Sequence, residues 1–158
     1  MCMPEADEKL RVLFLCTNNS CRSQMAEGLT KSLRGESIYA QSAGLQPKRI
    51  HKLAIRAMFE IAMNISNQYP KRIEELEETD FDYVITLCDD AKENCPVFPG
   101  NVRHLHVPFE DPVVLAESAR DEKTAYKYFI RVRDQIRTFI ATMPKSLDRL
   151  YEQQQEEK

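Results

Sequence analysis

The residues most suggestive of chemistry are Cys16-Thr17-Asn18-Asn19-Ser20-Cys21-Arg22-Ser23, which follow directly on the apolar run Val12-Leu13-Phe14-Leu15. On a turn between a buried strand and a helix, successive backbone N–H groups can curl into a nest around a tetrahedral oxyanion. The positive end of the helix dipole adds to the attraction. Arg22 supplies a planar fork able to grip two oxyanion oxygens. The same donors would stabilise a thiolate at Cys16, the nucleophilic form of that side chain, and Ser23 is placed to hydrogen-bond it. Taken one at a time, Cys16 reads equally as a small core residue and Arg22 as a surface cation. The strand before them and the helix after them favour the anion site.

A second pair of thiols, Cys88 and Cys95, is spaced unlike the close cysteine pairs of zinc modules. Thiols that can reach one another can exchange disulfides. Burial as small apolar residues is the alternative for this pair. Of the other candidates, His104 and His106 alternate along one strand face with no third ligand nearby and read as surface residues. His51 begins a helix, Cys21 reads as filling behind the loop or else as a partner for Cys16 under oxidation, and Cys2 carries no role.

The elements that must position these groups follow from hydrophobic spacing. Residues 12–15 read as a strand, and Met25, Leu29 and Leu33 as one face of a helix closed by Gly35. Residues 38–40 suggest a second strand ending at Ser42-Ala43-Gly44, and Ala54, Ala57, Met58 and Ile61 mark a second helix. Residues 83–87 form a third strand and residues 102–107 a fourth. Phe129, Val132, Ile136, Phe139, Ile140 and Met143 then trace a long amphipathic helix stopping near Pro144. Strand alternating with helix predicts an α/β fold, an open parallel four-stranded sheet with helices on both faces. Strands one and three then end at the same sheet edge, which brings Cys88 near Cys16 with Cys95 on the same segment. One domain is expected over residues 8–144, followed by a charged tail, residues 145–158, that reads as a marginal helix.

Composition limits the partners. A chain of 158 residues, 42% hydrophobic, fits one core, and 30% charged residues with a net charge of −3 give no basic field for nucleic acid or anionic lipid. No stretch approaches the roughly 20 apolar residues of a membrane span. The start, MCMPEADEKL, is acidic where a signal peptide would be basic, so a cytoplasmic protein is expected. Five cysteines in a reducing compartment point to thiol chemistry before structural disulfides.

The loop Cys16-Thr17-Asn18-Asn19-Ser20-Cys21-Arg22-Ser23 resembles the signature loop of the low-molecular-weight tyrosine phosphatase superfamily. Its extension through Gln24-Met25-Ala26-Glu27-Gly28 resembles the thioredoxin-coupled arsenate reductase branch. The similarity runs from residue 11 to about residue 143, with Ser42-Ala43-Gly44, Ile65-Ser66-Asn67 and Val132-Arg133-Asp134 as further landmarks. It implies a flavodoxin-like sheet with the phosphatase-type loop after strand one. It also implies reduction of arsenate to arsenite with Cys16 as nucleophile, Cys88 and Cys95 forming the final disulfide, and reduced thioredoxin as co-substrate. Thr17, Asn18, Asn19, Ser20, Cys21, Arg22 and Ser23 would bind the arsenate or phosphate-like oxyanion, and Asp111, before Pro112, would be the general acid. Asp-Pro is also an ordinary turn dipeptide. No bound cofactor or metal is expected, and the chain is taken as a monomer.

Two departures from the superfamily pattern matter. Where phosphatases carry aromatic residues after the Asp-Pro pair, this chain has Val113-Val114, which weakens a phosphotyrosine reading. Some reductases of the branch hold potassium with residues aligning to Asn19, Glu27, Ser42 and an aspartate, but here the last region reads Asn67-Gln68-Tyr69-Pro70-Lys71. The Lys71 ammonium is expected to replace the ion. A phosphatase with redox-protective cysteines is the alternative function, and a non-enzymatic oxyanion or redox sensor is a third, separable by a turnover assay.

Overall fold

The computed structural model describes residues 9–157; Cys2 and the outermost residues of the two expected segments, 8 and 158, lie outside them. The strands are β1 (Leu10–Cys16), β2 (Ile38–Gly44), β3 (Tyr83–Thr86) and β4 (Arg103–His106). The helices are α1 (Arg22–Arg34), α2 (Lys52–Glu60), α3 (Asp89–Glu93), α4 (Pro112–Glu117), α5 (Glu122–Thr142) and α6 (Lys145–Glu156). All strand pairs are parallel, in the order β2-β1-β3-β4. The chain therefore steps one way from β1 to β2 and the other way from β3 to β4. With right-handed crossovers, that reversal puts α1 and α3 on opposite faces. The crevice where the order reverses, at the carboxyl ends of β1 and β3, is where such sheets hold ligands.

β1 is central and covered on both faces, which is why Val12, Leu13, Phe14 and Leu15 form an unbroken apolar run in place of an alternating one. α1 and α5 pack against each other, and Met25 and Leu29 of α1 and Phe129, Val132 and Ile136 of α5 are all fully buried. Each such side chain contributes about 1.5–3 kcal/mol on leaving water. The landmark Arg133 is buried too, and its Nη1 donates to the Ala57 carbonyl at 2.9 Å, fastening α5 to α2.

The C-terminal segment is more ordered than its sparse apolar residues suggest, because it is a twelve-residue helix, α6, with Leu147 fully buried. Much of its attachment is polar. Asp148 accepts from Tyr83 Oη and, at 3.1 Å, from Arg103 Nη1, while the Arg103 guanidinium lies 4.8 Å from the centre of the Tyr151 ring. The Gln154 amide pairs with the exposed edge of the sheet, accepting from His106 N at 3.0 Å and donating to His106 O at 2.8 Å. An edge strand with unpaired backbone groups is a template for unwanted pairing, and α6 covers it.

Candidate active site

The 16–23 loop is turned outside in by its carbonyl groups. Thr17 O accepts from Gln46 N at 2.8 Å, Asn18 O from Lys48 N at 2.9 Å, Asn19 O from Gln24 Nε2 at 3.0 Å, and Ser20 O from His51 N at 2.9 Å. With those oxygens fixed outward, the N–H groups of residues 18–21 donate to no protein acceptor among the described residues. α1 starts at Arg22 with no side-chain cap and no acidic residue in its first turn. These are the donors an oxyanion would take.

Asn19 holds the loop in shape. It has φ of +48°, and asparagine tolerates this left-handed region better than most residues. Its Oδ1 accepts from Gln24 Nε2 and Lys71 N, each at 3.0 Å. Its Nδ2 donates to Ser23 Oγ at 2.7 Å and to Ser42 Oγ at 3.0 Å. Ser23 Oγ lies 2.8 Å from Cys16 Sγ. Because Ser23 Oγ already accepts from Asn19, its own proton is available for the sulfur, and a thiolate is the better acceptor for it.

Opposite Asn19, the chain of β2 passes so close that only glycine fits. A Cβ on Gly44 would stand 2.9 Å from Asn19 N, Asn19 Cβ and Thr17 O. Gly44→Ala is therefore expected to push the loop out of register and weaken binding of inorganic phosphate about a hundredfold, since displacements near 1 Å carry losses of that order. Calorimetric titration with phosphate checks this; affinity within threefold of the parent would show that the loop yields without harm.

Arg22 is buried and bridges to the loop after β4. Its Nη1 donates to Phe109 O at 3.1 Å and its Nη2 pairs with Asp111 Oδ2 at 3.2 Å. Asp111 also caps α4, accepting from Val113 N at 3.0 Å. Cys16, Asn18, Ser20, Cys21, Arg22, Asp111 and Val113 together line one small cleft. An anion gripped by Arg22 would compete with Asp111 for the guanidinium. Cys21 is buried behind the loop, and desolvation together with the neighbouring Cys16 and Asp111 charges pushes its thiol well above the ordinary range. It stays protonated, which suits filling.

Cys88 meets the loop through Thr17. Thr17 Oγ1 lies 3.3 Å from Cys88 Sγ and 2.9 Å from Asp90 Oδ2. Its one proton goes to the carboxylate, so the Cys88 thiol donates to Thr17. Cys88 Sγ also caps α3, accepting from Ala91 N at 3.4 Å. Cys95 is not gathered into this cluster: its Sγ contacts Pro96 O at 3.5 Å and His104 Nδ1 at 3.8 Å. Asp90 escaped the sequence reading because its role is to accept from Thr17, which depends on the fold.

Behind the loop, Ser42 Oγ donates to Glu27 Oε1 at 2.7 Å, and the buried Lys71 ammonium stands 3.7 Å from the same oxygen. Burial pushes Lys71 below its ordinary value while Glu27 opposes the fall. These residues do not fit a potassium ion, because a second cation would meet the ammonium at the carboxylate it needs. Lys31 holds Glu27 Oε2 at 2.7 Å. Lys71→Met should therefore cost about 3 kcal/mol, the low end for breaking a buried pair. Equilibrium denaturation should show this, with the parent equally stable in potassium and sodium salts. A stability gain specific to potassium in the parent would contradict it.

Among the described residues no group of three or more His, Cys, Asp or Glu could hold a metal ion, and no helix is long and apolar enough to cross a membrane. His51 caps α2, its Nδ1 accepting from Leu53 N at 3.1 Å.

Comparison with known proteins agrees with this geometry. Residues 11–153 match the family model for low molecular weight phosphotyrosine protein phosphatase. The chain is 41% identical over 135 residues to an arsenate reductase of Oceanobacillus iheyensis, covering 85% of this chain and 95% of that one. A solved arsenate reductase in its reduced state superposes with a TM-score of 0.65 at 32% identity, over 87% of this chain and 98% of the other. A thioredoxin-dependent arsenate reductase of Corynebacterium glutamicum superposes with a TM-score of 0.59 at 29% identity, over 87% of this chain and 63% of its own. The phosphatase-type loop after β1, the parallel sheet behind it and the extent of these matches establish that the chain belongs to the low molecular weight phosphotyrosine protein phosphatase family.

Proposed function

We propose that this protein reduces arsenate to arsenite by a relay of three thiols, drawing its electrons from reduced thioredoxin. The observation that carries the reading is the contact between Thr17 and Cys88, which sets a second thiol one residue from Cys16 at the same sheet edge. Cys16 thiolate attacks arsenic: the As–S bond forms, an As–O bond breaks, and the leaving oxygen takes the proton of Asp111 and departs as water, with Arg22 and the loop N–H groups holding the oxyanion. Cys88 thiolate then attacks Cys16 Sγ: the S–S bond forms, the As–S bond breaks, and its electron pair stays on arsenic, taking As(V) to As(III). Cys95 attacks Cys88 Sγ next, releasing Cys16 as thiolate and leaving Cys88-Cys95 for the dithiol to reduce. The names of the relatives support the oxyanion, and one neighbour's name supports the reductant.

The test is NADPH consumption in a mixture of the protein, arsenate, thioredoxin and thioredoxin reductase. Steady oxidation that needs all components is expected. No consumption, together with rapid hydrolysis of an aryl phosphate, would give the protein to the second reading, a small-phosphoester phosphatase, which the placement of Asp111 on Arg22 favours. Against a phosphotyrosine substrate, Val114 is exposed where an aromatic clamp would be required.

A further inference from the structure

Away from the cleft, a groove of about 630 Å³ runs between β4, the segment after α3 and the end of α6. Its walls carry Cys95, His104, Lys92, His106, Gln154 and Glu157. Cys95 Sγ and His104 Nδ1 face each other across it at 3.8 Å, with Phe98 beside the imidazole, ring centres 6.2 Å apart. Neither residue lines the cleft of Cys16, Arg22 and Asp111.

We propose that His104 is the base that activates Cys95, taking the thiol proton onto Nδ1 so that a thiolate is delivered to the disulfide-exchange step. Its place in that step rests on the relay proposed above. Cys95 needs such help, because burial pushes its thiol up from the ordinary value and α3 supplies it no capping N–H. In the tautomer with hydrogen on Nε2, Nδ1 offers a lone pair to the S–H, in competition with Pro96 O. The proton moves to the imidazole, and Cys95 Sγ attacks Cys88 Sγ of a Cys16-Cys88 disulfide. The Cys88-Cys95 bond forms and the Cys16-Cys88 bond breaks. Cys16 departs with the electron pair as a thiolate facing Ser23, and no net oxidation occurs in this step. Each wall brings charge to the pair. Lys92 of α3 favours the thiolate, Glu157 at the end of α6 favours the imidazolium, and His106 on the same strand face is held by Asp89 at 2.9 Å and by Thr86 Oγ1 at 2.9 Å.

The test measures alkylation of Cys95 by iodoacetamide in the full chain, quantified by peptide mapping from pH 5.5 to 9.5, for the parent and for His104→Ala. His104 is exposed on an edge strand, so the variant is expected to fold, and circular dichroism checks it. In the parent the rate should rise at lower pH than in the variant, as the imidazole gives up its proton and becomes able to act as a base. In the variant the rise should move above the free-thiol value near 8.5, with a loss of about tenfold or more at pH 7. Added imidazole should restore the variant and leave the parent unchanged, which a purely structural role would not produce. After a single turnover with arsenate, the variant should accumulate Cys16-Cys88 at the expense of Cys88-Cys95. Superimposable alkylation profiles would overturn the proposal whatever the turnover assay shows. If the profiles differ as expected while Cys95→Ser reduces arsenate normally, the activated thiol stands and the relay falls.

Discussion

Cys16→Ser is expected to abolish arsenate reduction and aryl phosphate hydrolysis together, to below one part in a thousand of the parent rate in both assays. In the mechanism proposed above, the two reactions share a first step, attack by the side chain at the end of β1 on a tetrahedral centre held in the loop. A sulfur nucleophile attacks as its thiolate, and Ser23 Oγ, 2.8 Å away, is placed to hydrogen-bond it. A serine hydroxyl in the same place has no general base beside it: the group at 2.8 Å is Ser23, whose oxygen already accepts from Asn19. The variant should keep its fold, because serine is no larger than cysteine and the surrounding carbonyl bonds do not involve the side chain. It should also keep its affinity for inorganic phosphate, since the N–H groups and Arg22 remain. Parallel assays with arsenate and with an aryl phosphate, alongside phosphate titration, separate lost chemistry from lost binding. Substantial activity with either substrate would remove Cys16 from the nucleophile role.

The legible part of this molecule is the part written in local pattern. β1 announces itself because a central parallel strand is apolar on both faces, and α5 because Phe129, Val132, Ile136 and Ile140 recur at helical spacing. The loop between β1 and α1 is contiguous in sequence, so its thiols, amides and arginine could be read together. What sequence could not show are partnerships across the sheet. Asp90 reaches Thr17 only after β3 pairs with β1, and Gly44 matters only because β2 runs beside the same loop. α6 is faint in the sequence for a different reason, since much of its attachment runs through Asp148, Tyr151 and Gln154, which periodicity of apolar residues does not register. His104 reads as a surface residue, and it is exposed on β4. Only its distance from Cys95, nine positions earlier in the chain, suggests chemistry.

Cys88→Ser and Cys95→Ser are each expected to stop multiple turnover of arsenate while leaving slow aryl phosphate hydrolysis by Cys16, Arg22 and Asp111 intact. The split follows from electron counting: hydrolysis moves no electrons, whereas each arsenate reduced requires two, and a thiol pair yields them only by closing a disulfide. The two variants should halt at different points. Cys88→Ser should stall at the Cys16-arsenic adduct and Cys95→Ser at a Cys16-Cys88 disulfide, species that mass spectrometry distinguishes. Completing the parent cycle also demands movement. Cys88 caps α3 through Ala91 N, and Cys95 lies beyond the helix's end at Asn94. Seven positions along a helix span about 10 Å at 1.5 Å per residue, whereas a disulfide needs Cα atoms within about 7 Å. α3 must therefore give way. It is built to do so cheaply: a helix of five residues with only Ala91 buried, held at its margins by Asn94 to Asp90 and by His106 to Asp89. Hydrogen exchange over residues 88–97 should thus be faster in the oxidised parent than in the reduced one, and unchanged by oxidant in Cys95→Ser. Equal protection in both redox states of the parent, or unimpaired arsenate turnover in both serine variants, would refute the relay.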